Sequence, residues 1–455
     1  MRKYCLGPIL MLFAALVLFS CETDDESSVG EPPISTDDGS SIEDDVDDDD
    51  ETETDDEDSS DETPLEGVEV LNADLVYDGY ILVNDASAAN RVYLMDKAGA
   101  IVFEWNLNGK KLGNDVRLMP NGKLLAMLEA DDPQIGLGGF GGLLAIIDKE
   151  GTIEWSYEYS SENHISHHDA VMLPNGNILM MTWERKSVDE ALEAGYSLGT
   201  EAIYDAILEI DPTTNEIVWQ WHMWDHLIQD FDGSKTNFGN ISENPHLIDL
   251  NYVENPDVEG DISHANGIDY DEDLDIIFLS ANFYNEIWVI DHSTTTAEAA
   301  SNSGGNFGRG GDLIYRFGNP VAYDNPMGVI RFDRNHHPNL LSGDKKGNIL
   351  VYNNGLTQEQ SVAYELRLPL NFNLETNMDN EPTEEWSFTD ARLYSGKVSG
   401  VDLLPNGNRL ITEGDFGFWE VTEQGEVVWR FSLPGFYWRG YHYDKDEEAI
   451  INLGL

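Results

Sequence analysis

Ser166-His-His168-Asp-Ala-Val-Met-Leu-Pro174-Asn-Gly176-Asn-Ile-Leu179 reads as an apolar stretch, a tight turn and a second apolar stretch. Asn-Gly between alternating apolar runs is the strongest short-range hairpin signal, because both residues accept the positive φ that such turns require. The unit recurs. Turn marks stand at Pro120-Asn-Gly122, Pro174-Asn-Gly176, Asp271–Asp273, Lys346-Gly347 and Pro405-Asn-Gly407. After each hairpin a third strand and a polar turn lead to a fourth strand with an aromatic: Trp105, Trp155, Trp219, Tyr315, Trp386 and Trp429. Phe418-Trp-Glu-Val-Thr-Glu-Gln-Gly-Glu-Val-Val-Trp429 shows the second hairpin of a unit in full. Four strands per unit, no sustained helical period and six closing aromatics predict an all-β, six-bladed propeller.

The first unit holds only Tyr80–Asn84, Arg91–Asp96 and Ile101–Leu107, so it lacks an innermost strand. The C-terminal stretch Tyr441-His-Tyr443 to Ala449-Ile-Ile-Asn-Leu453 is expected to supply it and close the ring.

In a propeller the first strand of each blade lines the central channel, so residues of equal phase gather around the axis. His168, His264 and His337 each open such a strand. The six units carry Asn114, His168, His264, His337, Ser399 and His442 at that phase. Polar residues on one ring, several of them His, predict an active site at the channel mouth. A neutral imidazole can attack a sulfuryl or phosphoryl centre while protonated neighbours stabilise its oxygens. Three imidazoles can equally hold zinc with an open position. The residues alone leave both open, but no carboxylate or helical His-pair motif accompanies them, so no metal and no cofactor are expected.

The N-terminus reads as an export signal over residues 1–20: Arg2-Lys3, an apolar run from Leu6 to Phe19, then Leu18-Phe19-Ser20-Cys21. Leu and Ser before Cys resemble a lipobox, which makes Cys21 the lipidation site and predicts a lipid-anchored protein of the bacterial cell envelope. The only other cysteine, Cys5, lies inside the signal, so no disulfide or Cys-metal site is possible. Residues 21–66 hold 23 Asp and Glu, no Lys or Arg and few large apolar groups, which predicts an acidic, disordered tether. The propeller is assigned 67–455. The whole chain carries a formal charge of -62, and 64 of its 87 acidic residues lie beyond the tether, so no nucleic-acid partner is expected, and membrane contact only through the lipid.

Together, Ser166–Leu179, Trp219-Gln-Trp-His-Met-Trp-Asp-His226, His264-Ala-Asn-Gly-Ile-Asp-Tyr270, His336-His-Pro-Asn339 with Asn353-Asn-Gly355, and Leu404-Pro-Asn-Gly-Asn-Arg-Leu410 resemble the bacterial arylsulfate sulfotransferases. The resemblance covers essentially all of 70–455. It implies a periplasmic six-bladed propeller that needs no adenylyl sulfate and moves a sulfuryl group between phenols through a sulfated histidine. It further implies that His337, or the adjacent His336, is the nucleophile, that His264 stabilises the transferring group and that His168 contacts the phenol. Asn282, Asn114, Ser399 and His442 are then expected at the substrate. One departure stands out: the family has Arg in a Ser-Ser-Arg context where this chain has Ser280-Ala-Asn282-Phe283. Asn cannot replace a planar, charged fork. Arg316, Arg334 and Arg392 are the candidates to compensate. A His-metal hydrolase and a non-catalytic glycan- or protein-binding propeller are the competing readings.

Lesser features have plainer readings. Asp269-Tyr-Asp271-Glu-Asp273-Leu-Asp275 alternates carboxylates as a Ca²⁺ loop does, but without its Gly and terminal Glu it reads as an acidic turn. Gly136–Gly142 and Ser303–Gly311 read as long loops that shape the entrance, and Trp221, His222, Trp224, Asp225 and His226 as a packing and loop-anchoring cluster.

Overall fold

The computed structural model describes residues 66–253 and 260–455. The signal segment, Cys21 and the acidic tether lie outside the described residues.

Six antiparallel sheets follow one another along the chain, each with the four strands expected. The second blade runs from Leu112–Leu118 to Ile153–Glu158, the third from His164–Met172 to Glu216–His222, and the fourth from Ala265–Asp271 to Tyr315–Phe317. The fifth runs from Asn335–Leu340 to Thr383–Phe388 and the sixth from Gly400–Leu403 to Val427–Ser432. Ring closure is made by the C-terminus, as expected. Tyr437–Tyr443 pairs antiparallel with Tyr80–Asp85 and becomes the innermost strand of blade 1. The apolar stretch beyond it differs from expectation: Glu448–Leu453 is a short helix closed by Gly454 at φ 90°. A second closure was not foreseen. Val68–Leu71 adds a fifth strand to the outer edge of blade 6, against Val427–Ser432. This covers an edge that would otherwise present unpaired amides.

All six closing aromatics sit in fourth strands, and Trp105, Trp219, Tyr315 and Trp429 are buried between blades. An aromatic ring buries roughly 150–250 Å², about 4–6 kcal/mol of apolar transfer before entropy is counted. A polar lock accompanies them and explains the Asn that follows the turn glycine. Asn177, Asn348 and Asn408 each donate at 2.6 Å to a third-strand carboxylate, Glu209, Glu365 and Glu420 respectively. Each carboxylate also meets a cationic or basic group on the next blade: Glu209 His292 at 3.2 Å, Glu365 Arg409, and Glu420 Lys97 at 2.6 Å. Hairpin and neighbouring blade are thus fixed by one group.

Candidate active site

The inner strands of blades 3, 4 and 5 are not regular. In blade 3 Ser166 pairs with Thr182 and Ala170 with Met180, leaving extra residues between. Similar slips separate Ala265 from Ile268 in blade 4 and His336 from Asn339 in blade 5. Bulges of this kind re-aim side chains. At or beside them His168, His264 and His337 take φ of 54°, 46° and 54°, so the three phase-matched histidines share a left-handed backbone. Such conformations cost about 1–3 kcal/mol each and concentrate at functional sites.

A cavity of about 270 Å³ opens among these bulges. His168, His264 and His336 line it, with Phe140, Phe436 and Trp438 as apolar wall. His168 and His264 approach with ring centres 5.2 Å apart. His337 does not line it. Its ring is buried beside Tyr441, and its Nδ1 accepts the Val401 N–H at 3.1 Å. Of the neighbouring pair, only His336 thus reaches the cavity.

The three cavity imidazoles differ in state. His336 Nδ1 lies 2.6 Å from Asn354 Oδ1. Asn354 Nδ2 donates to the carbonyls of Ser395 and Val398, at 2.8 and 3.2 Å, which leaves its oxygen to face His336. Nδ1 therefore carries the proton, and Nε2 keeps its lone pair. Burial, against the opposing Asn354 bond, lowers the His336 pKa to about 3, so the ring is neutral. His264 is the reverse. Burial disfavours its charge, but Asp261 Oδ2 at 2.6 Å from Nδ1 more than offsets this and raises its pKa. Phe283 stacks on the ring, 4.8 Å away and 9° from parallel. His168 is held neutral chiefly by burial, with its neighbours His167, His264 and His336 acting in the same direction. Its Nδ1 is 2.7 Å from His167 Nδ1. His167 Nε2 in turn lies 3.0 Å from Asp205 Oδ1, within ion-pair distance but off hydrogen-bond alignment. Asp205 Oδ2 accepts from Ser263 Oγ at 2.5 Å and Ala265 N at 2.9 Å, the residues flanking His264.

The remaining sequence candidates divide. Asn114 lines the cavity and donates to the Gly139 and Phe140 carbonyls, holding that loop in place. Of the two glycine-rich loops, only Gly136–Gly142 reaches the cavity; Trp221 and His226 fasten the other through Gly311 O, Asp312 and Ala299 O. Ser399 is a backbone brace, accepting Gly414 N and donating to Lys397 O. His442 lies elsewhere, against Tyr77 and 3.0 Å from Asp444. Asn282 Nδ2 donates to the Asn335 carbonyl, which also accepts from Asn266 and Ser280, so the peptide entering His336 is pinned by three donors. Among the candidate arginines, Arg316 is bound to buried Glu286 and Arg392 to Asp390. Arg334 lies nearer the site: it donates to Asn282 Oδ1 at 3.3 Å and covers Phe283 at 4.2 Å.

Among the described residues no group of three or more His, Cys, Asp or Glu is arranged to hold a metal ion. Asp269 and Asp275 are engaged with the Leu340 amide and with Tyr270 and His292. No helix of the described residues is long and apolar enough to cross a membrane.

A family model of the arylsulfotransferases (ASST) matches residues 67–431. The chain belongs to the arylsulfotransferase family. The match spans five complete blades and all but the closing strand of blade 1, and the family's activity is sulfuryl transfer. No curated protein matches the chain. Solved structures match this arylsulfotransferase-family protein at low identity. A Bacteroides fragilis protein described as a candidate 6-phosphogluconolactonase is 10% identical over 81% of this chain and 98% of its own, with a TM-score of 0.41. BamB from Moraxella catarrhalis is 11% identical over 82% and 98%, with a TM-score of 0.35.

Proposed function

We propose that this protein transfers a sulfuryl group from a phenolic sulfate to a phenol through a sulfo-histidine formed at His336 Nε2. The observation that carries the reading is that one cavity is lined both by an imidazole whose Nδ1 faces Asn354 Oδ1, leaving the Nε2 lone pair available, and by a second imidazole whose Nδ1 faces the Asp261 carboxylate. The Nε2 lone pair attacks sulfur, and the bond from sulfur to the phenolic oxygen breaks. The departing phenolate takes the proton of His264 Nε2–H, so His264 ends neutral and His336 carries the sulfuryl group. In the second half-reaction the acceptor phenol gives its proton to His264 as its oxygen attacks sulfur, and the sulfur–nitrogen bond breaks. Asp261 supports His264 in both directions by orienting the ring and stabilising its charged form. Arg334, beside Asn282, supplies positive potential near the developing charge on the sulfuryl oxygens. This choice differs from His337 as nucleophile, because His337 does not line the cavity and its Nδ1 is occupied by the Val401 N–H.

Phenols and aryl sulfates are the proposed substrates, without cofactor. The apolar wall of Phe140, Phe436 and Trp438 suits an aromatic ring. The lipobox-like Leu18–Cys21 supports a lipid anchor in the cell envelope, with the acidic segment as tether.

The test is turnover of p-nitrophenyl sulfate with and without a phenol acceptor, together with mass analysis of the quenched enzyme. Acceptor-dependent nitrophenol release and one added sulfuryl group on the peptide containing His336 are expected. Release without any sulfated peptide would refute the covalent route. No release from several aryl sulfates would favour a binding propeller.

A further inference from the structure

Most fully buried indoles in this fold have partners. Trp221 donates to Gly311 O, Trp288 to Glu286, Trp419 to Glu413 and Trp429 to Lys97 O. Trp438 does not. It is 3% exposed, and its Nε1–H has no hydrogen-bond partner among the described residues. Trp105 and Trp183 share that lack, but neither lines the cavity, whereas Trp438 does. Its ring centre lies 5.1 Å from His168 and 6.3 Å from His336.

The backbone delivers Trp438 to this place by the same device that delivers the histidines. In the closing strand Tyr437 pairs with Asp85 and Gly440 with Val83, so Trp438 and Arg439 form a bulge opposite Asn84. Residue 438 also lies past the end of the family match at 431. A buried donor left without a partner is unfavourable, and few persist in native folds without a reason. Indole N–H is a donor only, so what it lacks is an acceptor. Of the groups that the proposed reaction brings here, the sulfuryl oxygens are acceptors only and carry the charge, which makes them the strongest match.

We infer that the Trp438 indole N–H is a substrate-binding donor that meets a non-bridging sulfuryl oxygen of the aryl sulfate held before His336. The inference rests on the sulfuryl-transfer reading above, and adds to it a neutral donor in the cavity that His264 also lines. The ring itself lines the cavity beside His168 and His336.

The test reads binding rather than turnover, in a His336→Ala background that cannot be sulfated. p-Nitrophenyl sulfate and p-nitrophenol are each titrated by calorimetry into that protein, with and without Trp438→Phe, which keeps an aromatic ring and removes only the N–H. Loss of a hydrogen bond to a charged oxygen corresponds to roughly ten- to hundredfold weaker aryl sulfate binding. Phenol binding should stay within about twofold, and the thermal midpoint should not fall, since an unsatisfied donor has been removed. Trp438→Tyr, which returns a donor on a related ring, should recover part of the affinity. Equal weakening for both ligands would make Trp438 a packing residue and overturn the inference, as would unchanged sulfate binding. Failure of the His336→Ala protein to bind p-nitrophenyl sulfate at all would overturn the sulfuryl-transfer reading with it.

Discussion

His336 and His337 are adjacent in the chain yet differ in surroundings: His336 lines the cavity with Nδ1 2.6 Å from Asn354 Oδ1, while His337 is buried away from it and its Nδ1 accepts the Val401 N–H at 3.1 Å. The first prediction follows from that division. His336→Ala should abolish the burst of nitrophenol from p-nitrophenyl sulfate, a loss of at least 10³-fold in keeping with removal of a nucleophile. His337→Ala should chiefly lower stability, by about 1–3 kcal/mol, because the buried Val401 N–H loses its acceptor. Burst kinetics and denaturant unfolding on both variants separate the two roles.

The second prediction concerns pH. The first half-reaction needs His336 neutral and His264 protonated. With His336 titrating near pH 3, it stays competent through mild acid. Because Asp261 outweighs burial and raises the His264 pKa above its ordinary 6.5, the burst rate should fall as pH rises through that raised value. Asp261→Asn removes the carboxylate that outweighs burial, so the fall should move to lower pH. A pH profile of the burst rate in both proteins checks the sign; a shift upward would contradict the assignment of His264.

Much of this was readable in the sequence, and the failures share a cause. Pro174-Asn-Gly176 and its repeats specify hairpins by local backbone chemistry, and Trp105 through Trp429 mark the fourth strands, so blade number needed no tertiary information. The common phase of His168 and His264 was readable for the same reason. The choice between His336 and His337 was not. It depends on a bulge, which breaks the two-residue alternation that tells inward from outward. Trp438, which lines the cavity, was not legible, and His442, which does not line it, was the candidate instead, because the closing strand has no turn and partner strand beside it in sequence. Its hairpin partner, Tyr80–Asp85, lies at the other end of the chain, so its phase could not be registered. Ala449–Leu453 is too short an apolar run to distinguish strand from helix by period.

The third prediction tests the charge buried beneath the site. Arg439 Nη1 lies 2.6 Å from Asp169 Oδ2 and 3.7 Å from Asp115 Oδ2, and Nη2 donates to Asn266 O at 3.1 Å. It therefore ties the closing strand to blades 2, 3 and 4. Burial and the Asp169 charge raise the Asp115 pKa to about 6, whereas Asp169, despite burial, is held well below the usual carboxylate range by Arg439 and Arg117. Arg439→Ala leaves two buried carboxylates short of a cation and should cost about 3–5 kcal/mol in denaturant unfolding. The Asp169 share of that stability is present above the ordinary carboxylate pKa and is lost as pH falls below it, so the gap between parent and variant should narrow in acid. A gap that widened in acid would contradict the pairing.

The fourth prediction concerns the loop that closes over His168. Gly139 has φ 93°, and a Cβ placed there would lie 2.1 Å from His168 Nε2. The same residue fixes the histidine from the backbone, since His168 N donates to Gly139 O at 3.0 Å. Gly139→Ala must therefore push either the loop or the imidazole away, and the loop is also held by Asn114. Because the contact is at the cavity wall, the disturbance should appear in activity more than in stability. We expect kcat/KM for p-nitrophenyl sulfate to fall by about 10²-fold, as displacements of roughly 1 Å do, with about 1 kcal/mol or somewhat more lost from folding for the strained φ. Gly138→Ala makes the control: a Cβ at the neighbouring glycine would meet nothing within 4 Å. Should both variants keep parental kcat/KM, the position of His168 has no bearing on transfer. Should both lose it equally, the loop rather than the imidazole is what the reaction requires.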